Sequence, residues 1–225
     1  MSSTLSFHRA RKPDEKAQRR KAILEAAAQL FDSEGLDGVS LNAVARKAGI
    51  AKSNLYRYFE SREAIFLALL SHDFEECVEA LEQALARLPS PGEAASVARV
   101  LAQTLVAAPR FCALETAVTT VLEQNISDAQ AVLHKRNVMR LGIRLGNAVR
   151  AALPSLPASA VGPLLRYVHA AIAGLYPLAH PAPAAARALR DAQFAALRCD
   201  FGQDLEGMTV AVLAALSSGP TAPRR

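Results

Sequence analysis

Lys52, Ser53, Asn54, Tyr56 and Arg57 lie in one six-residue stretch, and Arg62 follows just past Ser61. Together they supply an ammonium, hydroxyls, a carboxamide and two guanidinium groups. Lys52, Ser53 and Asn54 suit hydrogen bonds to base edges or phosphates, while the Tyr56 phenol and Arg57 guanidinium suit phosphate oxygens. Arg62 is placed to meet the same backbone. Leu55, Phe59, Ile65 and Phe66 are interleaved with these residues and belong in a core. A short helix with both characters has a protein interior behind it and a polyanion in front. Two other readings share this composition: a helical hairpin with a wet outer face, and an adaptor whose basic lobe meets an acidic protein.

The charge balance localises the question. The chain carries 26 Lys and Arg against 21 Asp and Glu, and residues 1–63 hold 12 of the basic and 8 of the acidic side chains. Nearly all of the net +5 therefore sits in the first quarter of the chain, as expected for local contact with a polyanion.

A second set of polar residues is stranded on otherwise apolar helices: Arg110, Glu115, Thr119, His134, Arg144, Tyr167, His169 and Tyr176. A cavity between helices needs apolar walls and a few polar groups. Phe111, Leu114, Val118, Leu141 and Leu145 are candidate walls, and Phe111, Glu115, Thr119, Arg144 and His169 are the candidate ligand-binding residues. The five His and three Cys never fall at metal-ligand spacing, so neither a metal site nor a cofactor is expected. No Gly-rich phosphate loop, G-x-S-x-G or H-E-x-x-H occurs, which argues against an enzyme. Cys77, Cys112 and Cys199 form no disulfide framework and fit a reducing cytosol, with Cys112 read as a buried inert thiol rather than a redox switch.

Helices must position all of these groups. The chain has 225 residues, 51% of them apolar and only 5% aromatic, so its core is built mainly from Ala, Leu and Val, which points to an all-α fold. Residues 1–15 are polar and basic and read as a flexible arm. Ile23, Leu24, Ala27, Leu30 and Phe31 share one helix face, predicting a first helix over 16–34 ended by Gly35. Ser40 is a plausible N-cap for a helix over 41–48. Gly49 supplies a sharp turn into a third helix over 52–58, held by Leu55 and Phe59. Two short helices joined by a Gly-containing turn describe a helix-turn-helix. Ser61 caps a long fourth helix reaching toward Leu88, expected to link two lobes. Further helices are predicted over 93–107, 110–124, 128–153, 159–179 and 205–217, with another possible over 185–200. The tail, 218–225, is expected to be disordered. No run of about 18–20 apolar residues suggests a membrane span, and no secretory leader is visible.

The segment from Ala17 to about Cys77 resembles the N-terminal DNA-binding domain of TetR-family transcriptional regulators. The resemblance rests on ILEAAAQLF at Ile23–Phe31, G-x-x-x-x-S at Gly35–Ser40, VARKAGI at Val44–Ile50, LYRYF at Leu55–Phe59 and SREAI at Ser61–Ile65. It implies a DNA-binding domain over 16–77 and a helical ligand-binding and dimerisation domain over 78–217. It further implies a cytoplasmic homodimer on a palindromic double-stranded operator, repressing until a small-molecule effector releases it. Phosphate contacts would come from Ser40, Tyr56 and Arg62, and base contacts from Ala51, Lys52, Ser53 and Asn54. Arg62 stands where the family often has Lys, a cation for a cation; Arg57 replaces a frequent aromatic or His, so operator preference does not transfer. VGPLLRYVHAAIAGLYPLA and LEGMTVAVLAALS are apolar nearly all round and must be buried on most sides. Pattern alone allows a monomer core; the resemblance favours a twofold four-helix interface.

Overall fold

The structure, a computed structural model, describes residues 11–89 and 91–217, with side chains from residue 15 onward. Every regular element among the described residues is helical: α1 (Arg11–Gly38), α2 (Leu41–Lys47), α3 (Lys52–Leu55), α4 (Arg62–Leu85), α5 (Ala94–Val106), α6 (Pro109–Thr116), α7 (Asp128–Ala152), α8 (Val161–Ala179), α9 (Pro183–Ala188) and α10 (Phe201–Ser217).

The first three helices close over the start of α4. Ile23, Ala27, Val44, Leu55, Phe59, Ile65 and Phe66 are all buried there. Two glycines carry the turns that no other residue adopts without strain. Gly35 (φ 69°) breaks the helical path of α1, and Gly49 (φ 68°) lies between α2 and α3. Helix α1 starts at Arg11 rather than Lys16, so the last residues of the expected arm are helical. Pro13 falls in the first turn, where its missing N–H has no helical partner to lose. The rest of the arm and the tail at 218–225 lie outside the described residues.

Helix α4 is the shared element. Its 24 residues span about 36 Å at ~1.5 Å per residue. Ser61 accepts the Ala64 amide at 3.0 Å and caps its N-terminus. Downstream α4 packs against α5, α6 and α7, and α10 packs on α5 and α8. Among the described residues no single helix is long and apolar enough to cross a membrane.

Four expectations are corrected. Helix α3 ends at Leu55; the next three residues form a turn in which the Tyr58 and Phe59 amides both donate to the Leu55 carbonyl, at 2.9 and 3.1 Å. The helix expected over 110–124 breaks after Thr116, and residues Val118–Leu122 wind as a π-helical turn. Its run of Val118, Thr119, Thr120 and Val121 crowds a normal α-turn. The Leu122 and Glu123 amides reach back five residues, to Ala117 and Val118, both at 3.0 Å. The segment at 185–200 is short α9 followed by a 3₁₀ stretch, Ala192–Leu197. Finally, α10 begins at Phe201 because the Asp200 carboxylate caps it, accepting the Gln203 amide at 3.0 Å.

The connection between α4 and α5 is pinned to the far end of α7. The Gly92 amide donates to the Ala152 carbonyl at 2.9 Å, and a Cβ at Gly92 would stand 2.5 Å from that same oxygen. Backbone cannot yield as a side-chain tip can. Gly92→Ala is therefore expected to destabilise the fold by about 1–3 kcal/mol, as overpacking does, measured as a lower urea midpoint with an unchanged m-value.

Candidate functional site

The helix-turn-helix is built from its anchors outward. Leu55 is fully buried and Phe59 nearly so, which fixes the rotation of α3 and sends its other side chains to the surface. Lys52, Ser53, Asn54, Tyr56 and Arg57 are all exposed, Tyr56 by 51%. Ala51 is the extended residue before the first turn of α3 and is exposed too. Ser40 is exposed while its Oγ accepts the Ala43 amide at 3.1 Å, capping α2. Its hydroxyl proton stays available for an acceptor such as a phosphate oxygen.

Two arginines in this lobe hold the fold. Arg62 is half-buried; its guanidinium donates to the carbonyls of Leu36 and Val39, both at 3.3 Å, and to Glu63 Oε1 at 3.1 Å. The sequence reading offered Arg62 as a phosphate contact, but the structure turns it inward, where it grips the loop that presents Ser40. Arg20 sits over the Phe59 ring at 4.1 Å and donates to the Tyr58 carbonyl at 3.1 Å. It clamps the end of the recognition segment, a role its place in a basic cluster did not reveal. Lys16 and Arg19 share a shallow surface groove with Arg57 and Tyr58, extending the basic surface from α3 onto α1.

In the second lobe a cavity of about 310 Å³ opens between α4, α5, α6, α7 and α8. Phe74 and Phe111 form one wall, stacked 5.3 Å apart. Of the candidate ligand residues, Phe111, Glu115, Thr119 and His169 line this cavity, and Arg144 does not. Arg144 instead bonds Glu82 Oε2 at 2.6 Å and also Glu75, tying α7 to α4. Of the candidate walls, Val118 and Leu145 line it; Leu114 and Leu141 are buried elsewhere. His134, one of the polar residues stranded on apolar helices but not one of the five candidate ligand residues, lines it as well, buried on α7.

Charged side chains of the cavity lining are held in pairs. His169 Nδ1 lies 2.6 Å from Glu115 Oε1. That hydrogen bond, outweighing partial burial, holds the His169 pKa above its ordinary value. Lys135, which also lines the cavity, pairs with Glu123, which does not. His134 is 7% exposed; burial, reinforced by the Lys135 charge, pushes its pKa down and keeps it neutral.

Beside the cavity, Arg110 at the start of α6 makes a fork to both Asp73 oxygens, each at 2.8 Å, and reaches Asp32 of α1 at 3.1 Å. The hydrogen bond to Asp73 raises the Arg110 pKa. His72, Asp73 and Glu76 converge closely enough to hold a cation, but Arg110 already occupies both Asp73 oxygens. Burial pushes the Cys77 thiol up to about 12 and raises Cys112 further. Both are inert at neutral pH.

A family profile described as the C-terminal domain of tetracyclin-repressor-like proteins matches residues 71–219, and one described as bacterial regulatory proteins of the tetR family matches residues 23–69. The chain belongs to the TetR family. TetR-family proteins are transcription factors, so this chain is a DNA-binding regulator and not an enzyme. It is 44% identical over 52 residues to the transcriptional regulator RutR of Escherichia coli K12, a match covering 23% of this chain and 24% of RutR. It is 40% identical over 58 residues to the transcriptional repressor KstR of Rhodococcus jostii RHA1, covering 26% of this chain and 27% of KstR. The chain thus spans about a quarter of the length of these curated relatives. A solved Rhodococcus sp. RHA1 protein assigned as a transcriptional regulator superposes with a TM-score of 0.62 at 16% identity, over 87% of this chain and 94% of that one. That likeness is one of fold.

The Glu115–His169 pair makes a signed prediction for this TetR-family chain. A histidine whose folded pKa is raised contributes stability that is complete below its unfolded value and is lost as pH rises through the folded one. His169→Gln should therefore be less stable than the wild type at pH 5.5, and the gap should close by pH 9 in urea titrations.

Proposed function

We propose that this TetR-family regulator is a cytoplasmic repressor that binds a palindromic operator as a homodimer and lets go when a small molecule enters the cavity. The observation that carries the reading is the set of exposed Lys52, Ser53, Asn54, Tyr56 and Arg57 side chains on a segment locked from behind by Leu55 and Phe59. Residues at the start of a recognition helix meet base edges in the major groove. We assign base contacts to Ala51, Lys52, Ser53 and Asn54, and phosphate contacts to Ser40, Tyr56 and Arg57. Arg62 acts through the loop it holds. KstR's description as a repressor supports the sign of regulation.

The dimer follows from surface that one chain leaves open. On α8, Tyr167, Ala170, Gly174, Pro177 and Leu178 are exposed and repeat at helical spacing; on α10, Gly207, Met208, Ala211 and Ala215 do the same. Tyr167 and Met208 expose 52% and 46% of their surface. A Cβ at Gly174 or Gly207 would meet nothing within 4 Å, so a second helix can approach these stripes closely. Paired through them, two copies would present recognition helices about 34 Å apart, one turn of DNA.

Release follows from connectivity. Phe74, Cys77 and Leu81 of α4 and Phe111 and Glu115 of α6 line the cavity, and Arg110 ties both helices to Asp32 of α1. The Ser127 amide makes a second tie to Glu60 Oε1 at 2.8 Å. A ligand that prefers one spacing of α4 and α6 thereby prefers one orientation of the DNA-binding lobe; that differential affinity is the coupling. The domain division we draw, 16–77 and 78–217, falls within α4, as this coupling requires.

Selection of bound duplexes from a random pool tests the reading: an inverted repeat is expected, and recovery without symmetry or sequence preference would refute it. Lys52→Ala and Tyr56→Ala should each weaken operator binding by about 1–3 kcal/mol, with helicity by circular dichroism unchanged. Affinity should also fall steeply with salt as counterions are released. Gly174→Glu should convert a dimer into a monomer in sedimentation velocity.

A further inference from the structure

The reading of the cavity as an effector site leaves open what it takes. Its residues constrain the answer. Leu70, Phe74, Leu101, Leu105, Phe111 and Ile172 make most of the wall apolar, and about 310 Å³ is near the small end of sites for drug-sized molecules. Three of the cavity's charged or ionisable side chains, Glu115, His169 and Lys135, are already paired. Glu115 faces His169 and Glu123 faces Lys135. An added carboxylate would face Glu115 and find His169 and Lys135 already engaged by Glu115 and Glu123, and an added ammonium would compete with Lys135 and His169. Arg166 also lines the cavity, but it is exposed, so a charged group meeting it stays in water.

One polar group of the lining is left unmatched. The His134 ring lines the cavity, and its Nδ1 is buried with no hydrogen-bond partner. Its Nε2 lies 3.7 Å from Glu123 Oε1, beyond a hydrogen bond. A buried, unpaired imidazole nitrogen is costly, and a neutral oxygen brought to the ring edge relieves that cost without adding charge. The stacked Phe74 and Phe111 rings offer a flat surface to a ring system.

We propose that the effector is a neutral, largely apolar ring compound carrying a hydroxyl or ketone oxygen, which His134 recognises by hydrogen bonding. The proposal rests on the effector-site reading above. It excludes fatty acids, acyl thioesters of charged carriers and cationic drugs as preferred ligands.

Isothermal titration of the full chain with 1-naphthol, 1-naphthoate and 1-naphthylmethylammonium tests it, since the three share an aromatic body and differ in head group. The expected result is that 1-naphthol binds at least about tenfold more tightly than either ion. His134→Leu should lower 1-naphthol affinity about tenfold, as loss of one buried hydrogen bond does, and leave 1-methylnaphthalene affinity unchanged. The wild-type comparison stands whether or not that variant folds. Equal or tighter binding of either ion overturns the proposal, as does unchanged 1-naphthol affinity in folded His134→Leu. Operator binding of the same preparation, measured without probe, separates the levels. A preference for an ion overturns the ligand class and leaves an effector cavity; no binding by any probe, with operator binding intact, overturns both.

Discussion

Helix α4 is buried along both of its halves, and the rest of the molecule depends on that constraint. Its first turns complete the core beneath the recognition segment through Ile65 and Phe66, and its later turns supply Phe74, Cys77 and Leu81 to the cavity wall. A helix backbone is stiff on this length scale, so α4 cannot shift at one end and stay still at the other. The two lobes need no private interface to communicate. They share a rod, and Arg110 adds a polar strap across its side.

The buried Asp73 makes that strap consequential. A carboxylate 6% exposed is tolerable only because both oxygens receive a guanidinium fork. Arg110 is fixed there by the cost of leaving Asp73 alone, and its remaining nitrogen, Nη1, reaches Asp32 on the DNA-binding lobe. The position of α6 is thereby tied to that of α1 by polar contacts with defined geometry, where apolar packing alone would allow sliding.

Much of the fold was legible in the sequence because apolar spacing and punctuation agree there. The start of α2 follows from Ser40, the spans of α2, α7 and α8 fall within two residues of those expected, and the positive-φ glycines stand where turns were expected. The π-helical turn was not legible, because its five residues continue the apolar period and only their β-branching marks the strain. At the candidate site, the exposed face of α3 was readable from its two anchors, Leu55 and Phe59. Arginines were not readable. Arg20, Arg62, Arg110 and Arg144 are all cations in the sequence, yet each is consumed by a carbonyl, a ring or a carboxylate that only folding brings near. Arg57, expected to face phosphate, does end exposed beside α3. His134 was marked as a polar residue on an apolar helix but not chosen as a ligand contact, because a histidine on an apolar face looks the same whether its nitrogens are paired or not.

The π-helical turn at Val118–Leu122 borders the cavity through Val118 and Thr119. Such a turn holds one residue more than an α-helical turn would. Deleting one position there would restore ordinary winding and swing every preceding side chain of α6 by roughly 100° relative to α7 and the helices after it. Glu115 and Phe111 would then face new neighbours while the helix itself survived. The chamber wall therefore contains a built-in register step, through which a change of a single codon's length would redirect what lines the chamber without rebuilding the scaffold around it.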